Sequence, residues 1–172
     1  MRKMVEKDVT GLFAILSDPE VLKYTPRQVH KSINETNALL HRWIDSYEQN
    51  EVSRRGIVHK NYKVVIGVCG FINWNKIDQR GEIAYILARK FWGQGYIPEA
   101  IQEVIKFGFE VMKLNRIEAL CEPENRGSIR VLEKVNMHHE GRLRDYQFDK
   151  GAFHAVEMYS ILRREWNTTT SE

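Results

Sequence analysis

The chain has 172 residues, 42% hydrophobic and 28% charged, a composition that suits one globular domain with a sizeable core. With 26 Lys and Arg against 23 Asp and Glu, the formal charge of +3 is too small and too dispersed to argue for nucleic-acid binding. Cys69 and Cys121 fall in apolar strand-like runs, and no signal peptide or long apolar span is evident, so a reduced cytoplasmic protein with no membrane partner is expected.

Taken in chain order, residues 1–5 read as a short first strand and 8–16 as a helix closed by Ser17, Asp18 and Pro19. Ser32-Ile33-Asn34-Glu35 has the form of a capping box, after which Leu39, Leu40, Trp43, Ile44 and Tyr47 recur at helical spacing to about residue 50. Strands follow at 56–60 and 62–74 around a turn at Lys60-Asn61, and glycines in the second predict a bend or bulge. Residues 82–88 form the strand that enters Phe91-Trp92-Gly93-Gln94-Gly95-Tyr96-Ile97-Pro98-Glu99-Ala100. Pro98 suits the first turn of a helix, Glu99 complements its dipole, and the apolar positions from Ala100 to Met112 predict burial on more than one side.

A strand at 116–121, a turn at 122–125 and a helix at about 126–136 come next. Two closing strands at 138–148 and 153–163 flank Asp149-Lys150-Gly151. The order βααβββαβαββ is that of an α/β (α+β) domain with a mixed sheet, a single unit over 1–172 with a loose tail from about 165.

The glycine turn carries the chemistry. Glycines let a ligand approach the backbone, and a helix start offers unpaired N–H groups to an anion. A dinucleotide fingerprint needs a third glycine where Pro98 stands, and a Walker loop needs Gly-Lys-Ser/Thr, which is absent. An ordinary strand-to-helix turn stays open on the loop alone.

Together with Pro123-Glu124-Asn125-Arg126-Gly127-Ser128-Ile129-Arg130-Val131-Leu132-Glu133-Lys134, then Glu140-Gly141 and Tyr159-Ser160-Ile161-Leu162, the turn resembles the GNAT superfamily of N-acetyltransferases in its RimJ/RimL-like branch. The match in order and spacing runs over nearly the whole chain. It implies a mostly antiparallel mixed sheet with splayed central parallel strands and flanking helices, and acetyl transfer from acetyl-CoA to a primary amine. The acceptor is a protein N-terminus or a small amine, and no metal is expected; His138 and His139 are adjacent on a strand and point to opposite faces. Oligomeric state stays open, a homodimer included.

By the same resemblance, the backbone of Gly93, Gln94, Gly95, Tyr96 and Ile97 holds the CoA pyrophosphate, with Pro98 closing the cradle but offering no amide proton. Trp92 and Ile97 replace the polar and small residues of the family motif. Backbone at Tyr85, Ile86 and Leu87 bonds the pantetheine as an added strand does, and an N–H near Leu87 binds the thioester oxygen and the oxyanion. Asn125 touches the pantetheine arm and Ser128 protonates the departing thiolate, although both residues also suit helix capping.

Arg130, in a stripe with Arg126 and Lys134, faces the CoA phosphates or forms a solvated basic surface. For the general base, Glu118 is the geometric choice and Glu82 the other, with a salt-bridged surface role or a water relay as the plainer readings. Positions where relatives carry acid–base groups hold Leu120, Leu132, Gln147 and Ala155 here. That motivates one alternative, a non-catalytic module that senses acyl-CoA; a structural partner protein that binds none would require Gly93 and Gly95 to be purely conformational.

Overall fold

A computed structural model describes residues 1–49 and 54–169 of the chain. The expected first strand is reduced to one bridge, Arg2 to Gly56. Arg2 instead turns its guanidinium onto Asp8, and a 3-10 turn at Glu6–Asp8 carries the chain off the sheet edge at once. Helix α1 (Val9–Leu16) follows as anticipated. Ser17-Asp18-Pro19 does more than close it: Asp18 accepts the Glu20 N–H and Pro19 occupies the first helical position, so a short α2 (Pro19–Leu22) begins there.

Helix α3 (Ile33–Glu48) is capped by Ser32, whose hydroxyl oxygen accepts the Glu35 N–H. The Glu35 carboxylate reaches back to the Lys31 N–H at 3.1 Å, so the reciprocal bond of the box falls one residue earlier than its usual place. The helix ends at Glu48 with Gln49 as its C-cap, and residue 50, the end expected from the sequence, lies outside the described residues.

Six strands form one sheet in the order β1-β2-β3-β4-β6-β5, where β1 is Arg55–Val58, β2 Val65–Asn75, β3 Arg80–Leu87, β4 Arg116–Cys121, β5 His138–Asp149 and β6 Ala152–Leu162. Every neighbouring pair is antiparallel except β3 with β4. The irregularity expected in β2 sits between Phe71 and Asn73, where Ile72 is the extra residue. Residues 76–79, left between two strands by the sequence, form the β2–β3 connection.

Helices α4 (Tyr96–Glu110) and α5 (Arg126–Lys134) complete the domain on the far side of the sheet. Alternation in the strands divides the core. Ile83 and Leu87 of β3 pack with Ile101, Ile105 and Phe109 of α4, whereas Val68 and Ile86 pack with Leu12, Leu40 and Trp43 of α1 and α3.

The tail expected to be loose from about 165 forms helix α6 (Arg163–Thr169), with residues beyond it outside the described set. Trp166 rests on Phe109 with ring centroids 5.5 Å apart, and Arg163 donates to the Leu114 carbonyl at 2.7 Å. Sequence alone misses this helix because it covers only about two polar turns and depends on Phe109 for its apolar partner.

Candidate active site

The parallel pairing of β3 with β4 is short. It joins Arg80, Gly81 and Glu82 to Arg116, Ile117 and Glu118, and then the two strands part. On its other edge β3 stays in register with β2 to Leu87, and the Ala88 N–H donates to the Ile66 carbonyl at 2.8 Å. Because successive amides alternate across a strand, Ile86 turns its N–H to β2 and leaves Tyr85 and Leu87 to face the gap. Of the three backbone positions expected to meet the pantetheine arm, two present their amides to the opening and Ile86 does not.

At the upper end of β3 the indole N–H of Trp92 donates to the Leu87 carbonyl at 2.8 Å. The residue standing where relatives carry a polar side chain therefore clamps the strand end. The loop then turns through Gly93 and Gly95 at φ of +74° and +84°, which glycine adopts at little cost. A Cβ placed on either glycine meets no protein atom within 4 Å, so the space above both is free for a ligand.

Gly95 is the N-cap of α4, and the first-turn amides of Tyr96 and Ile97 have no intrahelical acceptor. Tyr96 packs edge-on against Phe91 at 5.8 Å, Ile97 is buried, and Gln94 donates to the Lys90 carbonyl at 2.9 Å. The side chains brace the loop while its backbone stays exposed, and Pro98 continues the first turn. The loop thus fits a pyrophosphate.

Where β3 and β4 diverge lies a cleft of about 440 Å³. On the α5 side it is bounded by Leu120, Cys121, Glu122, Asn125 and Ser128, and on the α1–α3 side by Tyr24, Arg27, Trp43 and Arg54. Asn125 caps α5, its carbonyl oxygen accepting the Ser128 N–H at 3.0 Å, so it performs the expected capping role while also lining the cleft. The Ser128 hydroxyl is held by Tyr85 at 2.6 Å. Burial pushes the Tyr85 phenol well above its ordinary value, which keeps it a neutral hydroxyl at neutral pH. Burial also raises the Cys121 thiol to about 11, partly offset by a hydrogen bond with Ser128.

Glu118 does not reach the cleft. It sits at the last paired position of β3 and β4, below the opening, and accepts from Arg116 at 2.6 Å with Arg80 at 3.6 Å. The salt-bridged reading of this residue holds. Glu82 does line the cleft, accepting from the Asn73 amide at 3.2 Å. Arg130 lies exposed on α5.

The sequence reading passed over Glu122, which it took as a turn residue. Glu122 lines the cleft with its carboxylate 3.9 Å from His154 Nδ1, and burial raises its pKa, with His154 opposing and Asp149 reinforcing the rise. Behind it His154 Nε2 stands 3.0 Å from Asp149 Oδ1, and Gln147 donates to the other Asp149 oxygen at 3.1 Å. The signal was available only as a hairpin: β5 and β6 place Gln147 opposite His154 and so gather groups from three segments.

Among the described residues no group of three or more His, Cys, Asp or Glu is arranged to hold a metal ion, and no helix is long and apolar enough to cross a membrane.

A six-stranded sheet opened at its parallel pair, with a glycine cradle at the head of the next helix, defines an acetyltransferase fold. A family model described as "Acetyltransferase (GNAT) domain" matches residues 1–138, and the chain belongs to that family. It is 40% identical over 169 residues to an uncharacterized N-acetyltransferase, p20, of Bacillus licheniformis, covering 96% of this chain and 93% of that one. A GNAT-family acetyltransferase of Bacillus anthracis superposes with a TM-score of 0.85 at 29% identity over 95% of this chain and 94% of its own. A Vibrio cholerae spermidine N-acetyltransferase, solved with CoA and spermine, shares the fold at a TM-score of 0.82 and 20% identity, covering 96% of each chain. The protein is an N-acetyltransferase that transfers an acetyl group to an amine.

Proposed function

We propose that acetyl-CoA is the donor and that the acceptor, a protein N-terminal amine or a small primary amine, attacks the thioester directly within the β3–β4 cleft. The observation that carries this reading is the continuity of three features: the Gly93–Ile97 cradle, the gap-facing amides of Leu87 and Tyr85, and the Ser128 hydroxyl on Tyr85. The free space over Gly93 and Gly95 suits a pyrophosphate, and the first-turn amides of α4 favour its charge. In this reading the Leu87 N–H serves the thioester oxygen, where one preorganised donor is worth about 3 kcal/mol in the transition state, and the Tyr85 N–H, two residues earlier on the same edge, serves the pantetheine arm.

Ser128, polarised by Tyr85, supplies the proton for the departing thiolate. Glu122 replaces Glu118 as the candidate base: it faces the cleft, and its raised pKa makes it a better proton acceptor than an ordinary carboxylate. The pattern around Asn125 and Ser128 favours the RimJ/RimL-like branch. Buried, unpaired Cys69 and Cys121 accord with a cytoplasmic setting.

Calorimetric titration with acetyl-CoA, followed by thiol release with a panel of amines and N-terminal peptides, tests the proposal. Binding and turnover are expected in the native protein. Gly95→Val, which forces a β-branched residue to positive φ and fills the cradle, is expected to weaken acetyl-CoA binding at least tenfold with the fold retained in a thermal melt. Unaltered affinity would sink the cradle assignment, and binding without turnover would favour the acyl-CoA sensor.

A further inference from the structure

The wall of the cleft opposite Ser128 is cationic. Arg27, between α2 and α3, and Arg54, at the start of β1, both border it. Their guanidinium groups lie 5.5 and 5.4 Å from the centre of the Trp43 ring, so two cations from distant parts of the chain converge on one aromatic residue. Among the described residues neither makes an ion pair within 4 Å. Glu82 is the carboxylate whose field reaches Arg54, and Arg42 adds to the repulsion on Arg27. Burial, then Arg27, pulls Arg54 down to about 10, and burial, then Arg42, lowers Arg27.

Two mutually repelling, partly desolvated guanidinium groups are costly without an anion. Their planar forks match a carboxylate in geometry as well as charge. Glu82, near enough to act on Arg54, and Glu122 also line the cleft and offer negative charge to an ammonium. The cleft thus carries both signs of charge, and a polycation entering it meets like charge at Arg27 and Arg54.

We infer that the acceptor is a small amine bearing a carboxylate, and that Arg27 and Arg54 bind this carboxylate across the Trp43 ring while the amine points to the thioester. The inference rests on the acetyl-transfer reading and names its substrate class.

The test compares free α- and ω-amino acids with their carboxamides, an aminoalkyl phosphate, spermidine and short peptides, at saturating acetyl-CoA. A preferred amino acid is expected to exceed its carboxamide in kcat/KM by roughly 10- to 100-fold, the worth of a charge-assisted pair. In the double variant Arg27→Gln/Arg54→Gln the ratio is expected to fall to about 1, with acetyl-CoA binding unchanged by calorimetry. Equal or better use of carboxamide, phosphate, spermidine or peptide overturns the inference, as does a preference that survives the double variant. So does a loss confined to acetyl-CoA affinity, which would give the arginines to the donor.

If no amine is turned over, calorimetry with the same carboxylate and carboxamide pairs in the presence of CoA reads the site directly. Tighter carboxylate binding, lost in the double variant, supports the inference, and equal binding overturns it. Failure of the native protein to bind acetyl-CoA instead counts against the acetyl-transfer reading.

Discussion

Ser128 and Glu122 show how far one side chain's surroundings decide its role. A serine three residues past an N-cap is an ordinary helix-start residue. The Tyr85 phenol at 2.6 Å is what makes it a polarised hydroxyl. Ser128→Ala is expected to lower kcat about 100- to 10,000-fold, the range of one general acid, with little change in KM. Steady-state kinetics check this, and an unchanged kcat with chemistry rate-limiting would discard the role. Glu122→Gln is expected to remove the acid limb of the kcat/KM profile. Because its carboxyl titrates above the ordinary range, the rate should rise with pH through that raised value as the base form appears. A limb that persists in the variant would move the role to Glu82 or to water.

At the scale of elements, close backbone approach positions the cradle. Helix α4 lies against β2 and β4 through Gly108, where a Cβ would come within 2.7 Å of Phe71 and 2.8 Å of Ile117. Gly108→Ala therefore overpacks the core and is expected to cost about 1–3 kcal/mol in urea denaturation, against the usual gain of Ala over Gly in a helix. A stabilised variant would mean that α4 has room to shift. The boundaries of β4 and the glycine entry to α4 were legible from the chain because period-2 alternation and the Gly-Pro asymmetry are local signals. Helix α2 and helix α6 were not, since each is short and takes its apolar support from distant residues.

For the molecule as a whole, the N-terminus is held by an ion pair as well as by the single bridge of Arg2 to Gly56. Asp8 is buried, meets both Arg2 nitrogens at 2.6 and 2.7 Å and accepts the Val5 N–H at 2.9 Å. Burial by itself raises its carboxyl, but the Arg2 hydrogen bonds, aided by Val5, hold it below the usual value. The folded pKa thus lies below the unfolded one, so this stabilisation is present above about pH 4 and is lost as pH falls through the folded value. Asp8→Asn is expected to cost about 1–2 kcal/mol at neutral pH, moderated by the exposure of Arg2, and the difference should close on acidification. Denaturation at several pH values measures it, and a gap that persists in acid would assign the loss to packing.

The sequence by itself determined the proposal for the donor side of this enzyme. A glycine-rich helix entry is read by backbone conformation, which depends on neighbours within a few residues, so Gly93, Gly95 and Pro98 offer an anion cradle before any fold is known, with an ordinary strand-to-helix turn as the other reading of the loop alone. The acceptor side was decided by tertiary structure alone. Glu118 and Glu122 differ by four positions, yet only the parting of β3 from β4 leaves one beside Arg116 below the opening and brings the other, beside His154, to the cleft. Arg27, Trp43 and Arg54 come from three separate segments and acquire a common purpose only when α3 and β1 pack together, because charge and dispersion act through space and carry no mark in the order of the chain.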